Sequence, residues 1–203
     1  ITLDDKYFYL KSDTLNKNKQ LFYRNGFDGK EILLFNPKNN NNTSIINYIK
    51  PSWDGTKIVI GITENDIEIG HLIILDVKTK QMIDSPIKNC WPSALGGVRW
   101  LPNDSGFTYE YIPQIDKKSK NYLLNIKTLL HITGEDPSKD KVLLSKLNNS
   151  ELLIKEQDFP EIDFKNKNSK YMFASISGTS YYSDYYYSSL KAISESKIKW
   201  KEL

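Results

Sequence analysis

The stretch PSWDGTKIVIG, from Pro51 to Gly61, carries the clearest strand signal of the sequence. In it a short turn, residues 53–55, is followed after two polar residues by the aliphatic run Ile58–Ile60. Glycine supplies the left-handed backbone that a tight turn requires, and β-branched side chains favour extended strands. The stretch therefore predicts a turn that opens a buried β-strand.

The same pattern recurs twice further along the chain. RWLPNDSGFTYEY begins at Arg99 and DFKNKNSKYMFAS begins at Asp163. The turn position is filled by Gly55, Asp104 or Asn168 in the three copies, and these residue types tolerate a left-handed backbone. The copies are spaced by roughly 50 residues and then somewhat more, slightly above the roughly 40 to 50 of common propeller repeats. The repeat indicates four-stranded blades.

Short apolar and aromatic runs broken by turn residues extend this pattern over the whole chain. Such runs are typical of antiparallel strands, whereas the one competing helical segment, Asn121–Ile132, contains β-branched and turn residues that disfavour a helix. Asp28-Gly29 is expected to form the tight turn of a hairpin through a positive φ at its glycine. The predicted strands are Tyr7–Leu10, Gln20–Tyr23, Glu31–Phe35, Lys57–Ile62, His71–Leu75, Phe107–Ile112, Leu123–Ile126, Lys141–Leu144 and Tyr171–Ile176.

Together these patterns predict an all-β chain, a partial β-propeller of about four blades of four-stranded antiparallel sheets. The expected blade boundaries are about 1–43, 44–90, 91–150 and 151–203. A partial propeller cannot close its ring, so it leaves exposed a blade face that the next blade should cover.

Composition excludes several classes of function. The net charge of +3, from 28 basic and 25 acidic residues, does not favour nucleic-acid binding. One cysteine and two histidines argue against a disulfide framework and a metal site, and no nucleotide-binding or calcium-loop motif suggests a cofactor. No secretory signal opens the chain, and no apolar stretch approaches the roughly 20 residues that span a bilayer. A soluble chain without membrane contact is expected.

Three segments carry a family resemblance. KYFYLKSDTLNKNKQLFYRNGFDGKEILLFNP, from Lys6, resembles the first propeller blade of prolyl oligopeptidases. GFTYEYIPQIDKKSK, from Gly106, and TLLHITGEDPSKDKVLL, from Thr128, resemble the third blade of that family. The resemblance implies a propeller that sits over the active site of an α/β-hydrolase domain of the same polypeptide and limits entry to short peptides cut after proline. That catalytic domain is absent from these 203 residues.

The resemblance also implies a substrate-pocket region on the strand that begins at Phe107. The position at which the family contributes an aromatic side chain aligns with Thr108. Either Tyr109 or Tyr111 is a candidate to replace that aromatic contact, although aromatic residues in strands commonly pack in the core.

No catalytic residue is predicted in this chain. Serine peptidases of this kind carry the nucleophile on a G-x-S-x-G elbow, and the nearest imitation, Ser177–Ser180, lacks the flanking glycines. We interpret His71, His131 and Cys90 as structural residues. Two rival hypotheses are a stand-alone propeller that binds a protein or a glycan, and a related oligopeptidase that cleaves after basic residues.

Overall fold

The computed structural model describes residues 2, 4–12, 18–39, 43–64, 69–93, 97–179 and 181–203. These residues divide into two compact units. The first contains the described residues up to Lys88, with Pro92 and Ser93. The second contains Asn89–Trp91 and the described residues from Gly97 onward.

The first unit consists of two antiparallel sheets. One has the order β1–β2–β3, and the other contains β4, β5 and β6 in chain order. A further strand, β7, follows where the chain passes into the second unit. The strands are β1 (Lys6–Ser12), β2 (Lys19–Asn25), β3 (Ile32–Phe35), β4 (Ser44–Pro51), β5 (Lys57–Glu64), β6 (Gly70–Asp76) and β7 (Ile87–Cys90).

The core of the first unit lies around β5 and β6. The side chains of Ile58, Val59 and Ile60 are all fully buried, so both faces of β5 are covered. This burial explains why the run Ile58–Ile60 is continuously aliphatic, because a strand covered on both faces has no solvent side on which polar residues would be favoured. Leu21 of β2, from the other sheet, and Ile46 of β4 belong to the same hydrophobic cluster as Ile58 and Ile60.

The second unit also contains two antiparallel sheets. β9 pairs with β8 and β10, and β10 pairs with β11, while the other sheet has the order β12–β13–β14–β15. The strands are β8 (Arg99–Trp100), β9 (Gly106–Tyr111), β10 (Lys127–Ile132), β11 (Lys141–Leu144), β12 (Phe159–Asp163), β13 (Tyr171–Ser177), β14 (Asp184–Ser189) and β15 (Lys201–Glu202).

These two sheets share one hydrophobic core. Leu130 of β10 and Leu144 of β11 pack in a cluster with Ile162 of β12 and with Met172 and Ala174 of β13. Alternate residues of β13 point into this cluster, as the two-residue period of a strand requires. One face of β13 is therefore committed to the core of the second unit.

Helical structure in the described part of the chain is confined to short 3₁₀ turns at Pro37–Asn39, Pro137–Lys139, Ser150–Leu152 and Leu190–Ser194. None of the described residues form a helix of the length and apolarity that a membrane span requires. The predicted all-β class is confirmed.

One predicted strand is wrong. Leu123–Ile126 forms turns instead, because Leu123 and Asn125 have φ of 56° and 58°. The Leu124 N–H donates to Asn121 O at 3.0 Å within this turn. Residues held in the left-handed region interrupt a ladder of strand hydrogen bonds, so the apolar side chains of this segment do not produce a strand.

The turn between β2 and β3 also differs from the prediction. The left-handed glycine is Gly26, with φ of 76°, and not Gly29. Gly29 is needed for another reason: a Cβ atom there would lie 2.0 Å from the carbonyl oxygen of Asn25. The hairpin therefore uses two glycines, one for its φ and one for close backbone approach.

The three repeated turns share a side-chain-to-backbone hydrogen bond that the sequence pattern did not reveal. A side-chain oxygen accepts the backbone N–H two residues on: Asp54 from Thr56 at 2.9 Å, Asn103 from Ser105 at 3.2 Å, and Asn166 from Asn168 at 2.8 Å. Such Asx turns help to reverse the chain. Gly55 and Asp104 have the predicted left-handed backbone, with φ of 64° and 56°, whereas Asn168 does not, so the prediction of a left-handed residue at the third turn position is wrong.

Candidate functional site

Strand β9 holds the three predicted pocket residues, and its two faces have different surroundings. Thr108 and Glu110 lie on one face, opposite Leu130 and Thr128 of β10. The alternate residues lie on the other face, where the Phe107 ring packs against the tilted His131 ring with centroids 5.3 Å apart. The pleat of the strand thus places Thr108 on the face opposite to that of Tyr109 and Tyr111.

Thr108 makes its side-chain contacts in the interior of the second unit. Its side chain is almost fully buried, and its hydroxyl donates to the Ile162 carbonyl oxygen of β12 at 3.2 Å. The Thr128 hydroxyl donates in the same manner to the Pro160 carbonyl oxygen at 2.6 Å. These two bonds join β9 and β10 to β12. We call this contact the β9–β12 seam. It is formed on one side by Arg99, Thr108, Glu110 and Thr128, and on the other side by Pro160–Asp163.

Tyr109 is also buried. Its hydroxyl donates to Oδ2 of Asp140 at 2.8 Å, and Oδ1 of Asp140 lies 2.9 Å from Nδ1 of His131. Burial, followed by the charge of Asp140, raises the pKa of Tyr109 well above its ordinary value. One carboxylate thus holds a tyrosine and a histidine in the interior of the second unit, which agrees with the structural interpretation of His131.

Tyr111 is the partly exposed member of the predicted trio. It pairs with Cys90 of β7 and with Lys127 of β10, at the end of β9. The pocket role of Thr108, Tyr109 and Tyr111 stays a prediction.

A charged cluster lies at one edge of the seam. The Arg99 guanidinium forms a short ion pair with Oε1 of Glu161 and lies 3.4 Å from Oδ1 of Asp163. The Arg99 and Glu161 side chains are 19% and 25% exposed, so the pair is partly desolvated. Sequence reasoning missed this cluster, because Arg99 lies about 60 residues before the two acidic residues and such a spacing carries no local signal.

Glu110 is the buried acid beside that cluster. Its side chain is almost fully buried, and Oε2 has no hydrogen-bond partner among the described residues. Burial raises the pKa of Glu110 well above its usual range; the charge of Glu161 adds to this effect and that of Arg99 opposes it. The environment therefore favours the neutral carboxyl.

Two aromatic rings meet at the Glu110 end of the seam. The backbone N–H of Trp91 donates to the Glu110 carbonyl oxygen at 3.1 Å, and the Trp91 ring packs edge-on against the Phe159 ring of β12 with centroids 5.1 Å apart. Both rings are partly exposed. Their position beside β9 was not predicted, although Trp91 directly follows the cysteine that the sequence singled out.

The other residues considered from the sequence are His71, Cys90 and the segment Ser177–Ser180. His71 is half-buried on β6, and burial lowers its pKa against the opposing charge of Glu64. Cys90 is buried on β7. The Ser177 hydroxyl lies 2.9 Å from that of Ser183, and Ser180 lies outside the described residues. No grouping of three or more metal-ligating side chains occurs in the ranges that the structure describes.

The family profile described as "Prolyl oligopeptidase, N-terminal beta-propeller domain" matches residues 2–201 of this sequence. The chain belongs to this family. Its sheets are accordingly those of a partial β-propeller, as the repeats predicted.

Two relatives match about two thirds of the chain. A prolyl endopeptidase of Elizabethkingia miricola is 28% identical over 145 residues, which are 68% of this chain and 19% of the relative. A prolyl endopeptidase of Elizabethkingia meningoseptica is 24% identical over 146 residues, which are 68% of this chain and 20% of the relative. The matched region thus spans about a fifth of the length of these relatives.

Solved structures of the family have the same fold. A structure from a study of two prolyl endopeptidases and their inter-domain dynamics matches 97% of this chain with a TM-score of 0.77 at 22% identity, and 28% of the solved chain is covered. Prolyl oligopeptidase B from Galerina marginata matches 98% with a TM-score of 0.79 at 13% identity, and 30% of that chain is covered. These similarities establish the fold of this propeller domain.

Proposed function

We propose that this chain is the gating, substrate-size-filtering part of a serine endopeptidase that cleaves short peptides after proline. The observation that carries the proposal is the match of the family profile to residues 2–201. Relatives that are prolyl endopeptidases, each about five times longer than the matched region, support a parent enzyme of the same kind.

In this proposal the chemistry belongs to an α/β-hydrolase domain of the same polypeptide. That domain would perform acyl transfer with a serine nucleophile, a histidine base and an orienting aspartate, and would stabilise the oxyanion with backbone donors. The propeller contributes no reacting group. It acts before the chemistry, by admitting peptides that are short enough to reach the hydrolase domain.

We further propose that Tyr111 supplies the aromatic substrate contact. Thr108 and Tyr109 are buried, and their hydroxyls are bonded to Ile162 and Asp140. Tyr111 remains partly exposed, and a tyrosine ring offers both an apolar surface and a hydroxyl to a peptide.

The size filter is tested with the protein produced from the complete gene and a series of peptides that carry one proline and increase in length. We expect kcat/KM for cleavage after proline to fall steeply once the peptide is too long to enter. Equal cleavage of short peptides and of unfolded proteins would contradict the filter, and cleavage after basic residues would contradict the proline specificity.

The Tyr111 contact is tested separately in the same protein. Tyr111→Ala is expected to raise KM for a short proline peptide about tenfold or more with a smaller change in kcat, because it removes binding contacts rather than reacting groups. Tyr185→Ala, at an exposed tyrosine of β14, is the matched control. An unchanged KM in Tyr111→Ala would exclude the contact without affecting the proposed filter.

A further inference from the structure

We propose that Glu110 is a proton-operated latch of the β9–β12 seam, which is closed while the carboxyl carries its proton and loosened when the carboxyl ionises. This inference rests on contacts within the second unit and is independent of the proposed peptidase function.

The position of Glu110 makes its protonation state matter to the seam. The side chain is 3% exposed, on the same face of β9 as Thr108, whose hydroxyl bonds to the backbone of β12. Its Oε2 atom has no partner among the described residues. A neutral carboxyl tolerates such a site at modest cost, whereas an ionised carboxylate without full hydrogen bonding is strongly disfavoured there.

The charged groups around Glu110 do not remove this penalty. Glu161 faces it from β12 and disfavours a second negative charge, while Arg99 of β8 favours one. Arg99 is already engaged by Glu161 and Asp163. On β10 the residue opposite Glu110 is the uncharged Thr128.

The other ionisable residues of β10 do not face Glu110. Lys127 and His131 lie opposite Tyr111 and Phe107, which belong to the other face of β9. An ionised Glu110 therefore gains its best stabilisation from water. Water reaches the carboxylate when β9 and β12 separate and the bonds from Thr108 and Thr128 to the backbone of β12 break.

The sign of the pH dependence follows from the raised pKa. Below about pH 4 the carboxyl is protonated whether the seam is closed or open, and pH has no effect through this group. As the pH rises, the open seam releases the proton while the closed seam retains it. The opening equilibrium constant then increases up to tenfold per pH unit, until the pH passes the pKa of Glu110 in the closed seam, and is constant above it.

The test is amide hydrogen exchange between pH 5 and pH 9 on the protein produced from the complete gene, with rates corrected for intrinsic exchange. In the wild type we expect the protection of β9 and β12 to fall with rising pH, while that of β5 in the first unit does not. Glu110→Gln, which is uncharged at every pH, is expected to remove this dependence. Glu135→Gln, at an exposed position, is the matched control and is expected to behave like the wild type.

Equal pH dependence of β12 protection in the wild type and in Glu110→Gln would overturn the proposal. Equal dependence in β12 and β5 of the wild type would overturn it as well, since the effect would then be global. If Glu110→Gln does not fold, Glu161→Gln serves instead. Glu161→Gln removes the neighbouring negative charge, so the loss of protection is expected to be complete at a lower pH than in the wild type. An unchanged pH profile would again overturn the proposal.

Discussion

The Tyr109 hydroxyl donates to Oδ2 of Asp140 at 2.8 Å, and this bond ties the middle of β9 to the residue that directly precedes β11. The other carboxylate oxygen lies 2.9 Å from Nδ1 of His131. Because the Asp140 side chain is buried, any change that removes one of these partners leaves a polar group without compensation.

Tyr109→Phe is expected to lower the free energy of unfolding by about 1.5–3 kcal/mol, the usual contribution of a hydrogen bond to a charged group. Urea unfolding measures this change. Tyr185→Phe is the matched control, because Tyr185 is 56% exposed, and its expected change is within about 0.5 kcal/mol. Equal effects of the two substitutions would show that the bond to Asp140 contributes nothing.

Asp140→Ala is expected to cost more than Tyr109→Phe, because it leaves both the Tyr109 hydroxyl and His131 without their shared acceptor. Each buried group left unsatisfied costs about 1–3 kcal/mol. The measurement is again urea unfolding at neutral pH. A loss smaller than that of Tyr109→Phe would contradict the shared-carboxylate arrangement.

Replacing the side-chain acceptors tests whether the repeated Asx turns stabilise the fold. Asp54→Ala and Asn103→Ala are each expected to destabilise the protein by about 1 kcal/mol, as loss of a capping side chain does. Asn121→Ala, at an exposed asparagine whose backbone is already in a turn, is the control. Similar Tm values for all three variants would refute the stabilising role of the acceptors.

The Asp54 turn also predicts a pH dependence. Burial alone would raise the pKa of Asp54, but hydrogen bonds from Thr56 and Ser52 outweigh it and lower the pKa. A depressed carboxylate pKa stabilises the fold above the unfolded value of about 4, and the stabilisation is lost as the pH falls through the lower folded value. The stability difference between wild type and Asp54→Asn should therefore shrink below about pH 4. A difference that stays constant down to pH 2 would contradict this assignment.

Two ion pairs of unlike burial provide a further test. Arg99→Ala is expected to cost about 1–3 kcal/mol, because it leaves the partly buried Glu161 without its cation. Lys146→Ala removes an exposed pair with Glu156 and is expected to cost about 0.5 kcal/mol or less. Thermal unfolding of both variants measures the contrast, and an equal shift of Tm would show that burial of the Arg99 pair has no energetic consequence.

The sequence predicted β5, whose aliphatic run is uninterrupted, and the burial of Ile58–Ile60 explains why that signal is strong. It failed where backbone conformation outweighed composition, as at Leu123, whose φ is 56°. It also missed β4 (Ser44–Pro51), in which polar residues interrupt the apolar ones because alternate positions are exposed.

The site was predictable to a lesser degree. The strand that contains Thr108, Tyr109 and Tyr111 follows from its aromatic composition and from the family resemblance. The roles of Asp140 and of Glu161 do not follow, because their partners are non-local: Asp140 reaches β9 from a 3₁₀ turn, and Glu161 meets Arg99 across two sheets. Non-local pairs of this kind leave no periodic trace in a single sequence.

The isolated chain is expected to lack peptidase activity. The family's triad and oxyanion donors are assigned to the hydrolase domain, so purified residues 1–203 should not hydrolyse a chromogenic proline peptide above the buffer rate. Turnover that co-purifies with the chain and is abolished by a serine-directed inhibitor would contradict the assignment of the chemistry to another domain.

The proposed peptidase function is tested most simply by the sequence of the gene on both sides of this segment. A propeller part of a prolyl peptidase predicts an open reading frame that continues beyond Leu203 through further blade repeats to a G-x-S-x-G elbow, with an aspartate and a histidine following in chain order. A stop codon directly after Leu203 would contradict the peptidase function and would favour a stand-alone binding module.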